Sequence, residues 1–499
     1  VINAMPTDNM IEVSHIDTGD FVISELYVDG GRLVITAQSY GDQKLMTNYA
    51  EPAADVISIA VPQRAMSQTK VMVYNIENIS RPRMIKSYVI EGDAVTSRKV
   101  DDSFYMVTSA YLPYEDGKYI LPGYTSALNG TQIKSIDVSE LSYFPESTQA
   151  VVTTIAAIDL ENVSADVDME SYLGISGTVF MSRDNLYITT ESYTYMPNRP
   201  YAASNRTNIY KFALDGASIG YASRGSVEGS VLNQFSMDEY QDHFRIATSS
   251  WTNSGHRSNN MFVLDSNLKT VGKINNIAPN ENIYSVRFLG DKAHMVTFEQ
   301  TDPLFVIDLK NPENPVILGE LKMPGFSTYL HPYDENHLIG FGYDTEVIDG
   351  SVVQNGLKLS MFDITDLSAP KELFTTLIGD RGTNAGLLYN HKELLFSKEK
   401  NIFAFPVEVL KIDNKTQQKD QWTYGNFEFQ GAYVYGIDLT EGFNLKGTIT
   451  NSKTGAEGDY NDYVQRIIYI GDNFYTASNG RVKATDMNSF ETIGEFVIK

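Results

Sequence analysis

The chain has 499 residues, with 39 basic and 63 acidic side chains and a formal net charge of −24. A field of this sign repels phosphate backbones and anionic lipid, which argues against nucleic-acid binding and direct adsorption to lipid. The absence of cysteine excludes disulfides, thiolate nucleophiles and thiolate metal sites. No apolar run approaches the roughly 20 residues of a transmembrane helix, and 31 Tyr and 24 Phe favour strands.

The first twenty residues do not fill a complete repeat unit. VINAM followed by MIEVSHI has the pattern of a second hairpin without its first. Three alternatives follow: missing upstream sequence completes a ninth blade, the strands lie on another sheet, or an edge pairs with a partner chain. We favour the first, because the chain opens at Val1 and resembles a mature or trimmed product.

From residue 21 to residue 499 a hairpin of two apolar strands around a polar turn recurs eight times. Its copies begin at Glu25, Ser97, Thr178, Gln234, Val286, Tyr329, Leu387 and Arg466. Each copy precedes a second apolar pair with an Asp or Asn turn. Four strands per unit, repeated radially, avoid long exposed sheet edges. The sequence therefore predicts an all-β fold, a multi-bladed β-propeller with eight four-stranded blades in one domain.

Insertions make the units unequal in length. They lie near residues 39–69, 111–152, 191–206 and 405–429. We expect them to gather on one rim, and loops on a rigid scaffold commonly carry function. The second insertion combines aromatic, Pro and acidic residues, which makes it the leading candidate for binding; the alternative is a space-filling excursion.

Several strings of the chain resemble a known family. They are FSMDEY, SGTVFMS, YSVRFLGD, DPLFVIDL and PGFSTYLHPYDENHLIG. In these strings the chain is similar to the bacterial and archaeal family of secreted proteins with a C-terminal β-propeller domain, distantly similar to WD-repeat proteins. The resemblance covers residues 23–499 and implies the propeller fold, export, and an extracellular or cell-surface location. It implies no reaction, cofactor or catalytic residue.

Two arginines stand out when the first hairpins are aligned with one another. Arg98 and Arg287 occupy a position that we align with apolar Leu26 and Ile467. An unpaired buried guanidinium costs several kcal/mol, so each must find a partner or water. One interpretation is that they hold an anion such as a ligand carboxylate. The other, which we favour, is that each pairs with an acidic residue and ties neighbouring sheets together.

Histidines give weaker signals. His294 and His337 align with a position filled by Leu33 elsewhere, and neither has the spacing of a zinc site. His331, beside Pro332, is a third candidate for ligand binding, although turn chemistry explains its acidic neighbours.

Calcium is the metal that this composition permits, since Ca²⁺ prefers clustered carboxylate and carbonyl oxygens. The weak candidates are Asp166, Asp168 and Glu170, and Glu457, Asp459 and Asp462. No EF-hand loop is present, solvated turns explain both clusters, and no cofactor is firmly predicted.

Five Asn-x-Ser/Thr triplets are candidate glycosylation sites. They are Asn78, Asn129, Asn162, Asn205 and Asn414. Asn78 and Asn162 fall in the same turn of successive repeats. Asn-rich turns also produce the triplet by chance.

No nucleophile elbow or glycine-rich phosphate loop is present. The leading hypothesis is a non-catalytic extracellular binding or scaffold module at the cell envelope, whose inserted loops recognise a glycan, a surface protein or its own subunits. One alternative is an extracellular polymer hydrolase or lyase that uses the propeller channel, with Arg98 and Arg287 clamping carboxylates. Another is a subunit of a self-assembling surface filament that exchanges residues 1–20.

Overall fold

The structure is a computed structural model. The residues that it describes are 1–40, 66–126, 133–145, 147, 149–194, 204–251, 257–298, 302–413, 422–453, 455 and 457–498. Eight sheets of the repeat follow one another, and in each the four repeat strands neighbour one another in chain order. The predicted all-β architecture of eight four-stranded units is thereby confirmed.

The chain divides into two compact units. The first comprises residue 1, residues 12–192 and residues 207–226. Its sheets have the strands Val22–Asp29, Arg32–Ser39, Gln68–Asn75 and Arg83–Glu91 (first sheet); Asp93–Val100, Ser103–Tyr111, Val151–Asp159 and Asp168–Leu173 (second); and Val179–Met181, Asn185–Thr194, Ser204–Asp215 and Ser218–Glu228 (third).

The second unit comprises residues 2–11, 193–206 and 227–499. Its sheets have the strands Met237–Tyr240, His243–Trp251, Arg257–Leu264 and Thr270–Ile277 (fourth sheet); Asn282–Leu289, Lys292–Phe298, Asp302–Asp308 and Val316–Met323 (fifth); Phe326–Asp334, His337–Ile348, Ser351–Asp363 and Lys371–Ile378 (sixth); Leu395–Ser397, Ile402–Lys411, Asn426–Asp438 and Gly442–Ile449 (seventh); and Arg466–Ile470, Asn473–Ala477, Arg481–Asp486 and Thr492–Val497 (eighth).

The described chain has no α-helix, and its helical elements are short 3₁₀ turns. They are Thr7–Asn9, Val138–Glu140, Gln234–Ser236, Gly386–Leu388 and His391–Glu393. None of the described helical turns is long and apolar enough to cross a membrane.

Burial distinguishes the strands within a sheet. Val151–Asp159, a third strand, is buried at its first eight positions, whereas the fourth strand Lys371–Ile378 alternates between exposed and less exposed positions. A continuous apolar strand is covered on both faces, and an alternating one on a single face. The apolar core therefore lies between the middle strands of adjacent sheets, as where Val71 of the first sheet meets Phe104 of the second.

The turns between third and fourth strands follow the chemistry that the sequence predicts. In the fifth, sixth and eighth sheets an Asp at the end of the third strand accepts a hydrogen bond from the backbone N–H two residues later. These bonds are Lys310 N to Asp308 at 2.8 Å, Thr365 N to Asp363 at 2.8 Å and Asn488 N to Asp486 at 2.9 Å. Such Asx turns reverse the chain without backbone strain.

The second insertion lengthens sheets rather than forming only a loop. Gly123–Ser126 pairs with the fourth strand of the first sheet, and Lys134–Ser135 pairs with Gly123–Ser126 in turn. Leu141–Tyr143 pairs in parallel with the fourth strand of the second sheet. A separate hairpin joins Tyr114–Glu115 to Lys118–Tyr119.

The N-terminal segment packs on the eighth sheet. Strands Ile2–Asn3 and Ile11–Glu12 pair with each other. Met10 is buried against Tyr475, whose hydroxyl donates to the carbonyl oxygen of Ala4 at 2.9 Å. The two strands thus form a two-stranded sheet of their own, and residues 2–11 pack against the eighth sheet.

Candidate functional site

The hairpin register places Arg98 and Arg287 in equivalent positions, since each pairs with the residue two places into its second strand. The residues at this position in the eight sheets are Tyr27, Arg98, Phe180, Asp238, Arg287, His331, Leu395 and Ile468. The alignment with Leu26 and Ile467 was therefore wrong by one residue. Because successive strand residues face opposite sides, the arginines do not share the face of Leu26, which is itself 59 % exposed.

The predicted equivalence of His294 and His337 is also wrong. His294 pairs with Arg287 and Val306, whereas His337 pairs with Asp334 next to the turn. His294 is fully buried, and neither ring nitrogen has a hydrogen-bond partner within the described chain. Burial lowers the pKa of His294 to about 4. His337 instead has its Nδ1 2.7 Å from Asp334 Oδ1.

Arg98 makes hydrogen bonds with its own strand. Its Nη1 donates to Thr96 Oγ1 at 3.2 Å and to the carbonyl oxygen of Ser97 at 2.8 Å. The structure thus places Arg98 on the second sheet, in the first unit, and Arg287 on the fifth sheet, in the second unit.

Arg287 has a different environment. Its guanidinium carbon lies 5.4 Å from the centre of the Phe235 ring, and its Nε is buried without a hydrogen-bond partner. Over the ranges that the structure describes, no hydrogen bond or ion pair engages this guanidinium. Arg287 therefore has no acidic partner among the described residues. The favoured interpretation, in which it pairs with an acid and ties neighbouring sheets together, does not describe this arginine.

Phe235, which contacts Arg287, packs against further aromatic and imidazole rings, and we call Phe235, Arg287, Tyr329, His331 and His391 the Arg287 cluster. The Phe235 ring centre lies 5.8 Å from that of Tyr329 and 5.0 Å from that of His391. The Tyr329 hydroxyl is 3.0 Å from His331 Nδ1. Burial, together with the charges of Arg287 and His391, lowers the pKa of His331 to about 4. His331 is therefore neutral at neutral pH.

The carboxylates predicted as weak calcium ligands accept hydrogen bonds from other groups of the protein, and they do not converge on a common point. Asp168 accepts the backbone N–H of Ile219 at 3.0 Å, and Asp462 accepts Arg481 Nε at 2.8 Å. Asp459 accepts the Ser452 hydroxyl at 3.2 Å. Among the residues described, no three His, Asp or Glu side chains form a metal-binding group, so Asp166, Glu170 and Glu457 complete no such site either.

The Asn-x-Ser/Thr triplets differ in exposure. Asn78 and Asn162 are exposed in equivalent turns, where each accepts a backbone N–H two residues later. Asn205 is buried, with its Nδ2 donating to Ser230 Oγ at 2.6 Å, so the folded chain does not present this amide for modification. Asn129 and Asn414 lie outside the described residues.

A cavity of about 700 Å³, absent from the sequence predictions, lies against the seventh and eighth sheets. It is lined by Asn384, Ala385, Gly386, Glu393, Pro406, Val407, Glu408, Gln430, Tyr460, Tyr463, Val464, Gln465, Arg466 and Asn479. Glu393 forms an ion pair with Arg466 at 3.3 Å. Burial raises the pKa of Glu408, and the charge of Glu457 raises it further. We call this the amide-lined cavity.

Exposed aromatic side chains lie on the same part of the second unit. Tyr460 lines the cavity and is 69 % exposed. Trp422 and Tyr424, from the insertion near residues 405–429, stack on the Arg381 guanidinium at 5.0 and 4.9 Å. Arg381 lies three residues before Asn384, which lines the cavity. Exposed Tyr residues were a sequence signal, but their convergence with amide and carboxyl groups depends on contacts that only the fold creates.

The successive four-stranded sheets define a β-propeller, and comparison with known proteins agrees. The model of a family described as "Beta propeller domain" matches residues 1–490. The chain belongs to this family.

Two curated relatives are archaeal. An uncharacterized protein of Archaeoglobus fulgidus is 28 % identical over 514 residues, covering 87 % of this chain and 74 % of the relative. An uncharacterized protein of Methanocaldococcus jannaschii is 32 % identical over 381 residues, covering 71 % of this chain. This chain spans 58 % of the length of the second relative.

Two similar solved structures are a gluconolactonase and BamB. A periplasmic gluconolactonase of Pseudomonas aeruginosa matches with a TM-score of 0.37 and 12 % identity, covering 72 % of this chain and 93 % of that protein. BamB of Moraxella catarrhalis matches with a TM-score of 0.30 and 14 % identity. The match covers 74 % of this chain and 91 % of BamB.

Proposed function

We propose that this protein is a non-catalytic binding module of the cell envelope that recognises a glycan at the amide-lined cavity. The observation that carries the proposal is the lining: amide and carboxyl groups in a concave site beside an exposed Tyr460. Sugar hydroxyls need hydrogen-bond donors and acceptors, and sugar rings present apolar faces that pack on aromatic side chains.

The polar groups of the cavity are arranged for such a ligand. Gln465 Nε2 donates to Asn479 Oδ1 at 3.2 Å, which orients two amides of the lining. Arg466 fixes Glu393, so this carboxylate is a directed acceptor. A volume near 700 Å³ falls within the usual range of ligand sites, about 300–1,000 Å³.

An extracellular location is part of the proposal. It rests on the resemblance to secreted propeller proteins and agrees with the exposed triplets at Asn78 and Asn162. A mass shift on the peptides that contain these residues would test the glycosylation directly.

The test of the binding site is a pair of matched tyrosine variants. Tyr460 of the cavity and Tyr143 of the second insertion are 69 % and 68 % exposed. We expect Tyr460→Ala to weaken binding of neutral oligosaccharides from the envelope by about 3- to 10-fold, because stacking contributes about 0.5–1.5 kcal/mol. Tyr143→Ala is the control and should bind as the wild type does, measured by calorimetry.

The reverse result would assign binding to the second insertion, which the sequence favoured. If Tyr143→Ala lost affinity and Tyr460→Ala did not, the amide-lined cavity would not be the glycan site. Unchanged binding by both variants would count against both surfaces.

One observation favours a second candidate function, hydrolysis of an extracellular polymer. Glu408 has a raised pKa in a cavity that also contains the carboxyl group of Glu393. A carboxyl group that keeps its proton at higher pH is suited to general acid catalysis. Release of reducing ends by the wild type, abolished in Glu408→Gln, would establish this function; absence of release from the bound polymer would reject it.

A further inference from the structure

The Arg287 cluster contains a cation whose charge is not offset by an ion pair. The neighbouring acid, Asp238, accepts Arg245 Nε at 3.0 Å and also binds Arg245 Nη2, so these two charges neutralise each other. Arg287 acts on Asp238 only through longer-range attraction. One positive charge therefore remains in a protein with a net charge of −24.

The position of this charge is fixed by aromatic packing. Arg287 is partly buried over the face of Phe235, whose ring also contacts Tyr329 and His391. A ring face attracts a cation but does not satisfy guanidinium hydrogen bonds. The N–H groups that Phe235 leaves unsatisfied can still donate to an anion.

His331 supplies a second donor. The Tyr329 hydroxyl lies 3.0 Å from His331 Nδ1, and when this hydroxyl donates to Nδ1 the neutral ring carries its proton on Nε2, which is the tautomer that the proposal requires. Burial raises the pKa of Tyr329, so its hydroxyl stays protonated. The cluster thus combines a guanidinium with a neutral imidazole N–H.

We propose that the Arg287 cluster binds the carboxylate of a small ligand, with Arg287 as the cationic donor and His331 Nε2 as the second donor. This site is separate from the amide-lined cavity, with which it shares no residue, and it goes beyond the proposed glycan binding. A planar guanidinium matches the two oxygens of a carboxylate.

Charge balance selects a monoanion. One uncompensated cation is neutralised by one carboxylate, whereas a phosphate dianion would leave an excess negative charge in a partly desolvated site. The Phe235 and Tyr329 ring centres lie 5.8 Å apart, and the Phe396 ring centre lies 4.5 Å from that of His331, so the two donors have apolar neighbours. The ligand class is therefore a carboxylate attached to a flat or apolar group.

The experiment uses benzoate as the probe, with benzamide and inorganic phosphate as comparison arms, on the full chain by calorimetry. We expect saturable benzoate binding, at least tenfold weaker benzamide and phosphate binding, and at least a tenfold loss of benzoate affinity in Arg287→Gln. Arg98→Gln is the matched control, because Arg98 holds the equivalent register position in the second sheet. It should bind benzoate as the wild type does.

Equal benzoate binding by the wild type and Arg287→Gln would overturn the assignment. So would phosphate binding as tight as benzoate binding, or no benzoate binding at millimolar concentration.

A second readout needs only the folded wild-type protein. In histidine-ring NMR, with the His331 signal assigned from its loss in His331→Asn, saturating benzoate should raise the pKa of His331 from about 4, because a nearby anion favours the imidazolium. An unchanged His331 titration would reject the site even if Arg287→Gln did not fold. Oligosaccharide binding that depends on Tyr460 should persist in Arg287→Gln, so the two proposals can fail independently.

Discussion

The fourth and fifth sheets have different side chains at equivalent positions of the pairing between their first and second strands. In the fourth sheet the pair is Asp238 and Arg245; in the fifth it is Arg287 and His294. Arg245 is nearly fully buried, binds Asp238, and donates from Nη1 to the carbonyl oxygen of Gly290, in the first turn of the fifth sheet, at 2.7 Å. In the second pair Arg287 Nε and both His294 nitrogens are buried without a partner within the described chain.

The difference shows that the fold does not dictate how this pair is used. In the fourth sheet it ties two sheets together through a neutralised ion pair. In the fifth it leaves polar atoms unsatisfied, and each such group costs about 1–3 kcal/mol. Among the described residues, no contact offsets the cost of these unsatisfied atoms. We therefore expect the fifth-sheet pair to have a role other than stability.

Breaking the fourth-sheet pair should have the largest effect. Arg245→Met leaves the Asp238 carboxylate partly buried without its partner, which we expect to lower the free energy of unfolding by about 3–5 kcal/mol. Urea denaturation measures the loss. Arg183→Met is the control, because Arg183 pairs with Asp101 at 2.8 Å on an exposed surface and should cost less than about 1 kcal/mol. A similar small loss in both variants would contradict the view of Arg245 as a tie.

His294 of the fifth-sheet pair should contribute strongly to the acid sensitivity, together with His331 of the sixth sheet. His294 and His331 have pKa values of about 4 when folded, below the ordinary 6.5. As the pH falls, the unfolded chain therefore binds these protons first, so stability present above pH 6.5 is lost between pH 6.5 and 4. His294→Leu should remove about 3 kcal/mol of that loss.

Urea unfolding of both proteins at pH 7 and pH 4 measures this contribution. His15→Leu, at an exposed histidine, is the control and should retain the acid sensitivity of the wild type. Equal losses in the wild type and His294→Leu would show that His294 is not the acid-sensitive group.

The smallest effect should be that of Arg287→Met, which we expect to raise the free energy of unfolding, whereas Arg245→Met lowers it. Arg287→Met removes a buried unpartnered Nε while its apolar side chain still contacts Phe235, so we expect a gain in stability of up to about 1 kcal/mol without ligand. The same denaturation assay tests this sign. A loss above about 2 kcal/mol would mean that Arg287 is a structural tie after all.

Fold class was predictable because strand and turn patterns are local and recur eight times. Exact register was not, since a one-residue error exchanges the faces of a strand, as happened when Arg287 was aligned with Leu26 instead of Tyr27. In the sixth sheet the register of the first hairpin shifts between Pro332 and Asp334. Counting residues back from the turn therefore does not align His331 with Arg287.

The candidate sites were only partly predictable from sequence for a related reason. Arg287 and His331 were identified as unusual residues, but their association through Phe235 and Tyr329 depends on side chains from three sheets or their lead-in segments. The amide-lined cavity joins residues from 384 to 479, none of which is unusual within its own repeat. An unusual residue can be recognised by comparing one repeat with another. A cavity cannot, because it forms only when sheets distant in sequence pack together.

The N-terminal segment has a consequence for the order of folding. Ala4 accepts its hydrogen bond from Tyr475, which is 471 residues away in sequence. During synthesis, residues 2–11 emerge well before the eighth sheet and cannot reach their final contacts until that sheet has been made. Contacts of such long sequence separation slow folding. The attachment of the first strands should accordingly be among the last events of folding, and it joins the two ends of the second unit's sequence.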